Sequence, residues 1–322
     1  MKKLFVAGMI FVFVGVLSFA ACLALGVDLD TARAELSKIL TYEYTEEHVD
    51  ASLQNYSFET KYLVTEVKTE DRDDILIQYH TNNYLHFDFE SDDDSFSFKT
   101  ELESFSLQQI SNVFGWLLEP EFYRLKITFP TNFIGKKVSF LQSNGSIELS
   151  MFTADEVSVE NTNGEITLKD VAIKKLNVNV TNGEITLDNV LSEDARLKTV
   201  NGRIDIDKLQ DNKRLEIITT NGDLTISESQ IQVVTGGTTN GQINLDEFMA
   251  TVVELRTTNG DIRANFLGEI DDYYLYFKTT NGRVSFNKIN HNREYKKNSI
   301  DLDHQIILRT TNGSVVVMSY DY

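Results

Sequence analysis

From residue 138 onward, apolar side chains fall at every second position in short runs, and each run is interrupted by the same pair, Asn-Gly. The positions six and four before the Asn carry Val138 and Phe140, Val157 and Val159, Leu176 and Val178, Leu215 and Ile217, Val253 and Leu255, Leu275 and Phe277, and Ile306 and Leu308. The second and fourth positions after the Gly carry Ile147 and Leu149, Ile166 and Leu168, Ile185 and Leu187, Ile204 and Ile206, Leu224 and Ile226, Ile243 and Leu245, Ile262 and Ala264, Val284 and Phe286, and Val315 and Val317. Strict alternation of this kind marks strands with one buried face, so each copy reads as two short strands meeting at Asn-Gly.

The nine pairs are Asn144-Gly145, Asn163-Gly164, Asn182-Gly183, Asn201-Gly202, Asn221-Gly222, Asn240-Gly241, Asn259-Gly260, Asn281-Gly282 and Asn312-Gly313, at gaps of 19, 19, 19, 20, 19, 19, 22 and 31 residues. A near-constant period of this size marks a repeat architecture. Asn-Gly is also the strongest hairpin signal, because both residues accept positive φ, so a row of hairpins competes. The constant period and the matching phase of the inward positions favour a β-solenoid (β-helix-like) of about nine ~19-residue coils, a rod of roughly 40 Å at ~4.8 Å per coil. The Asn-Gly pairs would be its structural turns.

The residue after each Gly is Ser146, Glu165, Glu184, Arg203, Asp223, Gln242, Asp261, Arg283 or Ser314. Stacked in chain order these form a surface charge ladder, with Arg203 between Glu184 and Asp223, Asp261 preceding Arg283, and Glu165 beside Glu184 as the exception. A calcium-binding repeat would need a carboxylate at the same place in every turn, and the column lacks it.

The pattern changes toward the start of the chain. Lys2 and Lys3 precede an uncharged run from Leu4 to Val27, long enough as a helix to exceed the ~30 Å hydrocarbon core. Residues 1–27 are therefore expected to be one N-terminal transmembrane helix. The lysines place the N-terminus inside and the bulk of the chain outside, a single-pass protein of the cell membrane. A cleaved signal peptide, and a lipoprotein signal ending at Cys22 after Leu17-Ser18-Phe19-Ala20-Ala21, compete with it. Residues 28–52 read as a spacer, helical from Asp30 to Leu40 and then acidic and loose from Tyr42 to Asp50. Residues 53–132 carry strand-like runs without the repeat, at Ser57–Glu66, Ile75–Tyr79, Tyr84–Phe89, Phe96–Thr100 and Tyr123–Phe129, and read as a strand-rich cap or degenerate first coils. The patch Val113–Leu118, which holds Trp116, reads as core. Residues 133–322 are the repeat region.

The surplus before the last copy, about residues 288–299, is expected to emerge as a loop. It carries His291, Arg293, Lys296 and Lys297 in a chain whose formal charge is −19 and whose pI is near 4.7, and is the candidate partner-binding loop, suited to an anionic cell-wall polymer or another envelope protein. The acidic balance argues against nucleic acid, which needs a basic stripe. One Cys, within the N-terminal run, leaves the rest without a disulfide.

The sequence offers no catalytic signature. His48, His80, His86, His291 and His304 make no metal-ligand spacing, and there is no nucleophile elbow, phosphate loop or dinucleotide fingerprint, so neither metal nor cofactor is expected. A carboxylate pair acting on polysaccharide is the enzyme alternative, but Lys and Arg do not line up in one column as a groove for acidic glycan would require.

The run Phe122-Tyr123-Arg124-Leu125-Lys126-Ile127-Thr128-Phe129-Pro130, followed by Thr-Asn-Gly-Glu-Ile-Thr-Leu at 162–168 and 181–187 and its later variants, resembles the bacterial "putative adhesin" domain family. The resemblance covers roughly residues 50–322. It implies uncharacterised β-solenoid domains, some of them anchored and encoded with envelope stress-response systems, and supplies no catalytic residues. The expected role is a non-catalytic adhesin or cell-envelope sensing and binding scaffold, with self-association by end-to-end coil stacking as the alternative.

Overall fold

The computed structural model describes residues 41–82, 85–101, 120–268, 270, 272–299 and 303–320. Its strands before the first Asn-Gly are β1 (Glu43–Asp50), β2 (Asn55–Tyr62), β3 (Val64–Glu70), β4 (Asp74–Thr81), β5 (His86–Ser91), β6 (Ser95–Glu101), β7 (Arg124–Pro130) and β8 (Lys137–Asn144). The middle of the chain forms β9 (Ile147–Ser150), β10 (Thr153–Asn163), β11 (Ile166–Asn182), β12 (Ile185–Leu191), β13 (Asp194–Asn201), β14 (Ile204–Gln210), β15 (Asn212–Ile218), β16 (Leu224–Ser227), β17 (Gln230–Gly237) and β18 (Ile243–Asn259). The remainder forms β19 (Ile262–Leu267), β20 (Tyr274–Asn281), β21 (Val284–Phe286), β22 (Ile289–Asn290), β23 (Glu294–Lys297), β24 (Gln305–Asn312) and β25 (Val315–Tyr320).

Copies of the repeat pair in parallel, each residue with its equivalent in the neighbouring copy: Ile166 with Ile147 and Ile185, Ile204 with Ile185 and Leu224. Strands entering Asn-Gly build one face, the upstream face. Strands leaving it build the other, the downstream face. The alternating aliphatics fill the space between, with Ile166, Ile185 and Ile204 all at 0% exposure. Each such side chain contributes roughly 1.5–3 kcal/mol. A bend closes each copy: Met151, Asp170, Asn189, Lys208, Glu228 and Glu247, seven residues beyond their Asn, all have φ between 44° and 55°, in the left-handed region.

The expected β-solenoid of nine coils in chain order behind a transmembrane helix is corrected on three counts. First, β11 and β18 each run unbroken through the bend. They therefore join the two faces into a closed ring of eight parallel strands, β11, β12, β14, β16, β18, β17, β15 and β13, a flattened barrel extended at both ends. Second, spatial order departs from chain order. Asn259 pairs with Asn312, which pairs in turn with Asn281, so the last copy is inserted between the two before it. The opposite end does the same: β2 and β3 lie between β6 and β7 on one side and β8 and β9 on the other. Third, among the described residues no helix is long and apolar enough to cross a membrane. Residues 1–27, the helical part of the 28–52 spacer and Trp116 lie outside the described residues, so the transmembrane helix and the single-pass location derived from it have no support here.

Within that spacer, Glu43–Asp50 is strand β1, antiparallel to β4. The strands of 53–132 continue both faces rather than forming a separate cap. The 288–299 surplus is not a projecting loop either: β22 and β23 fold back antiparallel on β21 and β20 and cover that end.

The Asn-Gly pairs are not hairpin turns, and none of the nine Asn has positive φ. Glycine is required by close approach instead. A Cβ on Gly183 would lie 2.0 Å from the Gly164 carbonyl oxygen, and one on Gly222 1.9 Å from that of Gly202. Beside the glycines each Asn donates Nδ2 to the Oδ1 of the Asn before it in the stack, from Asn163 to Asn144 (2.9 Å) through to Asn312 to Asn259 (2.7 Å) and Asn281 to Asn312 (2.8 Å).

The Gly carbonyl takes no backbone bond, and a buried hydroxyl two residues before the next Asn satisfies it. Thr199, Thr219, Thr238, Thr257, Thr310 and Thr279 donate Oγ1 to Gly183, Gly202, Gly222, Gly241, Gly260 and Gly313 at 2.7–3.0 Å. Asn161 does the same for Gly145 at 2.8 Å. Val180 occupies this position in its copy, so that among the described residues Gly164 has no such donor, and Asn161 Oδ1, on the adjoining rung, is buried and unpaired.

Thr219→Val should therefore cost about 1–3 kcal/mol by stranding a buried carbonyl, while Val180→Thr should add about 0.5–1 kcal/mol. Denaturant midpoints at unchanged slope would measure both, and a neutral Thr219→Val would refute the role given to the hydroxyl column.

Candidate functional site

The charge ladder after the glycines reads differently in space than in chain order. Arg203 donates Nε (3.0 Å) and Nη2 (2.5 Å) to Glu184 and pairs with Asp205 at 3.0 Å within its own strand. Asp261 is followed by Ser314, whose amide it accepts at 2.8 Å, and not by Arg283. Carboxylates predominate in this column, and Arg203 among them is already paired.

The upstream face is different. Three residues before each Asn the side chain points outward, and on successive rungs this position holds Asn179, Lys198, Ile218, Gly237, Arg256, Arg309 and Lys278. Arg256, Arg309 and Lys278 thus stand on three adjacent rungs about 4.8 Å apart, all exposed. Like charges at that spacing oppose one another, so the column works against stability.

Partial compensation comes from Glu254, 3.5 Å from Arg309, and Glu294, 3.7 Å from Lys278. Arg256 has no carboxylate within ion-pair distance among the described residues, and Gly237 beside it presents no side chain. The Arg309 guanidinium lies over the Tyr276 ring at 5.2 Å, and Lys296 on the next strand lies 5.8 Å from the Tyr274 ring. The Tyr276 hydroxyl, and after it Glu294, hold the Lys278 ammonium above its ordinary pKa, so it stays charged across the neutral range.

The same face carries Lys175, Arg196, Lys198 and Arg214 farther along. Over eight rungs, about 34 Å, eight cations counting Lys296 stand against Asp194, Glu216, Glu254 and Glu294. On the downstream face of the middle copies the balance reverses: Glu184, Asp188, Asp205, Asp207, Asp223, Asp246 and Asp261 stand against Arg203, Lys208 and Arg263.

Of the residues expected to bind a partner, Lys296 alone joins this face, across from Tyr276. His291 turns toward Tyr295, at 4.5 Å between ring centres, and Lys297 sits opposite Leu275. The Arg293 carbonyl accepts from the Thr279 amide at 2.9 Å, which assigns that residue's backbone to the end of the stack. The expectation that Lys and Arg share no column is corrected by Arg256, Arg309 and Lys278. Reading the third position before each Asn would have found them, since all three occupy it. Among the described residues, no three His, Cys, Asp or Glu side chains are grouped to hold a metal ion.

The chain belongs to the Toastrack DUF4097 family, whose model matches residues 54–213 and 210–305. Similar solved structures include a "putative adhesin" from Bacteroides fragilis (12% identity, 87% of this chain and 97% of that one, TM-score 0.44). One of the same description from Parabacteroides merdae matches at 12% identity, 87% and 96% coverage and TM-score 0.47. A third, from Parabacteroides distasonis and described as a lipid binding protein, matches at 11% identity, 87% and 97% coverage and TM-score 0.49. At such values these likenesses carry no functional inference. No curated protein matches the chain significantly.

If the cation column is retained against its own repulsion, Arg256→Thr should leave the fold intact and raise the thermal midpoint slightly at low ionic strength. The gain, within about 0.5 kcal/mol, should vanish near 1 M salt, where screening acts over ~3 Å. A clear loss of stability at low salt would show that Arg256 serves the fold.

Proposed function

We propose that this protein is a non-catalytic binding scaffold of the cell envelope, and that the upstream face is its binding surface, engaging a linear anionic polymer along the stack. The observation that carries the reading is the run of Arg256, Arg309 and Lys278 on adjacent rungs of a chain with formal charge −19. A flat sheet face with regularly spaced guanidinium and ammonium groups suits repeated phosphate or carboxylate groups, since arginine forks engage them in bidentate fashion. The downstream face, where carboxylates predominate, and the acidic edge strand β1 offer no comparable surface.

Two features support an adhesin-like role over end-to-end assembly. The antiparallel strands β1, β5, β22 and β23 cover the ends of both faces. Edge strand β1 also carries Glu43, Glu46, Glu47 and Asp50, which discourage pairing with a further strand.

The test is retention of purified protein on immobilised anionic cell-wall polymer. The triple substitution Arg256→Ser, Arg309→Ser and Lys278→Ser should abolish retention at physiological salt, and Arg203→Ser with Arg263→Ser on the other face should leave it unchanged. Wild-type retention should fall steeply with salt. Equal retention of the triple variant and wild type would reject the reading.

A further inference from the structure

We infer that Asn281-Gly282 is a built-in modification site, the one Asn-Gly pair that the fold leaves open to spontaneous deamidation. Asn-Gly is chemically the most labile of Asn dipeptides because glycine lets its backbone nitrogen reach the preceding side-chain carbonyl. That nitrogen attacks Cγ, a C–N bond forms, and the side-chain nitrogen leaves as ammonia. Water then opens the cyclic imide at either carbonyl, giving aspartate or isoaspartate. The reaction needs a Gly nitrogen free to lose its proton and an Asn amide free to rotate onto it.

In the eight other pairs the stack withholds both. Each Gly amide donates to the Asn carbonyl of the next rung at 2.9–3.2 Å, from Gly145 to Asn163 through Gly260 to Asn312 and Gly313 to Asn281. Each Asn side chain in the interior of the ladder is bound at Nδ2 and at Oδ1. Even Asn144, at the other end, receives Asn163 on Oδ1 and donates to the Lys61 carbonyl at 3.3 Å.

Asn281-Gly282 is the last rung, and there is no further copy to hold it. Among the described residues, the Gly282 amide has no acceptor and Asn281 Oδ1 has no donor. The terminal cover does not reach them: Arg293 and Asn292 accept from Thr279 and Val284, on either side, so the chain arches over the pair without bonding it. Solvent access does not distinguish the site, since Asn182, Asn201, Asn221, Asn240, Asn259 and Asn312 are exposed as well. Hydrogen bonding does.

Conversion removes the donor of the 2.8 Å bond to Asn312 and sets a carboxylate against that residue's Oδ1. Asn312 cannot turn its amide to compensate without giving up its 2.7 Å bond to Asn259. The change therefore loosens the terminal rung and the β22–β23 cover, and would act as a slow chemical clock at this end.

The experiment is incubation of the full-length protein at mildly alkaline pH, with peptide mapping by mass spectrometry over time, alongside the same protein in denaturant. In denaturant all nine pairs should convert at similar rates. In the native state Asn281 should convert at least about tenfold faster than any of the others, which must first open locally. Even conversion across the native pairs, priority at another pair, or a native Asn281 that stays intact while the denatured one converts would each overturn the inference. Asn281→Asp should reproduce the aged protein's lower thermal midpoint, and an unchanged midpoint would refute the claimed loosening.

Discussion

Glycine carbonyls stacked one above another set the terms for this fold. With a Cβ placed about 2 Å from the oxygen of the rung before it, no other residue fits at that corner. The close approach leaves the carbonyl without a strand partner, and a buried unpaired carbonyl is costly. The hydroxyl two residues before the next Asn is what satisfies it, and the Asn amide beside it ties the same corner on the solvent side. Gly, Thr and Asn of the repeated phrase are thus three parts of one arrangement, and the constant period follows because the corner admits no insertion without breaking all three.

The rest of each copy is more tolerant. The 20-residue spacing between Asn201 and Asn221 is absorbed between β14 and β15, where Asp211 adopts positive φ and Asn212 turns inward to donate to the Ser192 carbonyl at 2.8 Å. The copy after Asn259 instead shortens its bend, shifting register so that Phe248 meets Phe266. Both adjustments leave the Asn-Gly corner in phase. At the C-terminal end the chain steps outward, covers the edge with antiparallel strands, and returns to fill the slot it skipped. This arrangement buries the return strands on both sides, as the 0% exposure of Ile306, Leu308, Val315 and Val317 shows. The final strands are therefore held by two neighbours each and not left as a fraying edge.

What the sequence discloses and what it withholds divide along a physical line. Period-two alternation is local, so Ile166, Ile185, Ile204 and their equivalents are recognisable as core from the string alone. Pairing order is not local. Nothing near Asn281 or Asn312 says which lies against Asn259, because both carry the same inward apolar pattern and the same Asn-Gly. The ladder from Asp261 to Arg283 fails for that reason. Asn-Gly itself misleads, since its hairpin chemistry suggests positive φ at both residues, which none of the nine Asn adopts, where the fold needs absence of Cβ at the Gly. The 288–299 segment, conspicuous for its cations, is consumed mostly in covering an end. Arg256, Arg309 and Lys278 were masked by the opposite effect: each is unremarkable in its own neighbourhood, and only their common offset from Asn unites them.

That offset matters because the corner fixes it. Every rung delivers its third residue before Asn to the same line on the upstream face, so charge placed there adds along the stack and cannot be averaged away by side-chain choice elsewhere. In the middle copies Ile218 and Gly237 interrupt the line, and compensation is available from Glu216 to Arg196 at 2.7 Å. Toward Lys278 the line becomes continuous and its compensation thins to contacts of 3.5 and 3.7 Å. Stability alone would favour alternating signs, as it does in the ladder that sets Arg203 against Glu184. A run of cations kept on one face, while carboxylates gather on the other, separates charge across a rigid frame. On the proposed reading, such a separation would orient an approaching polyanion before contact.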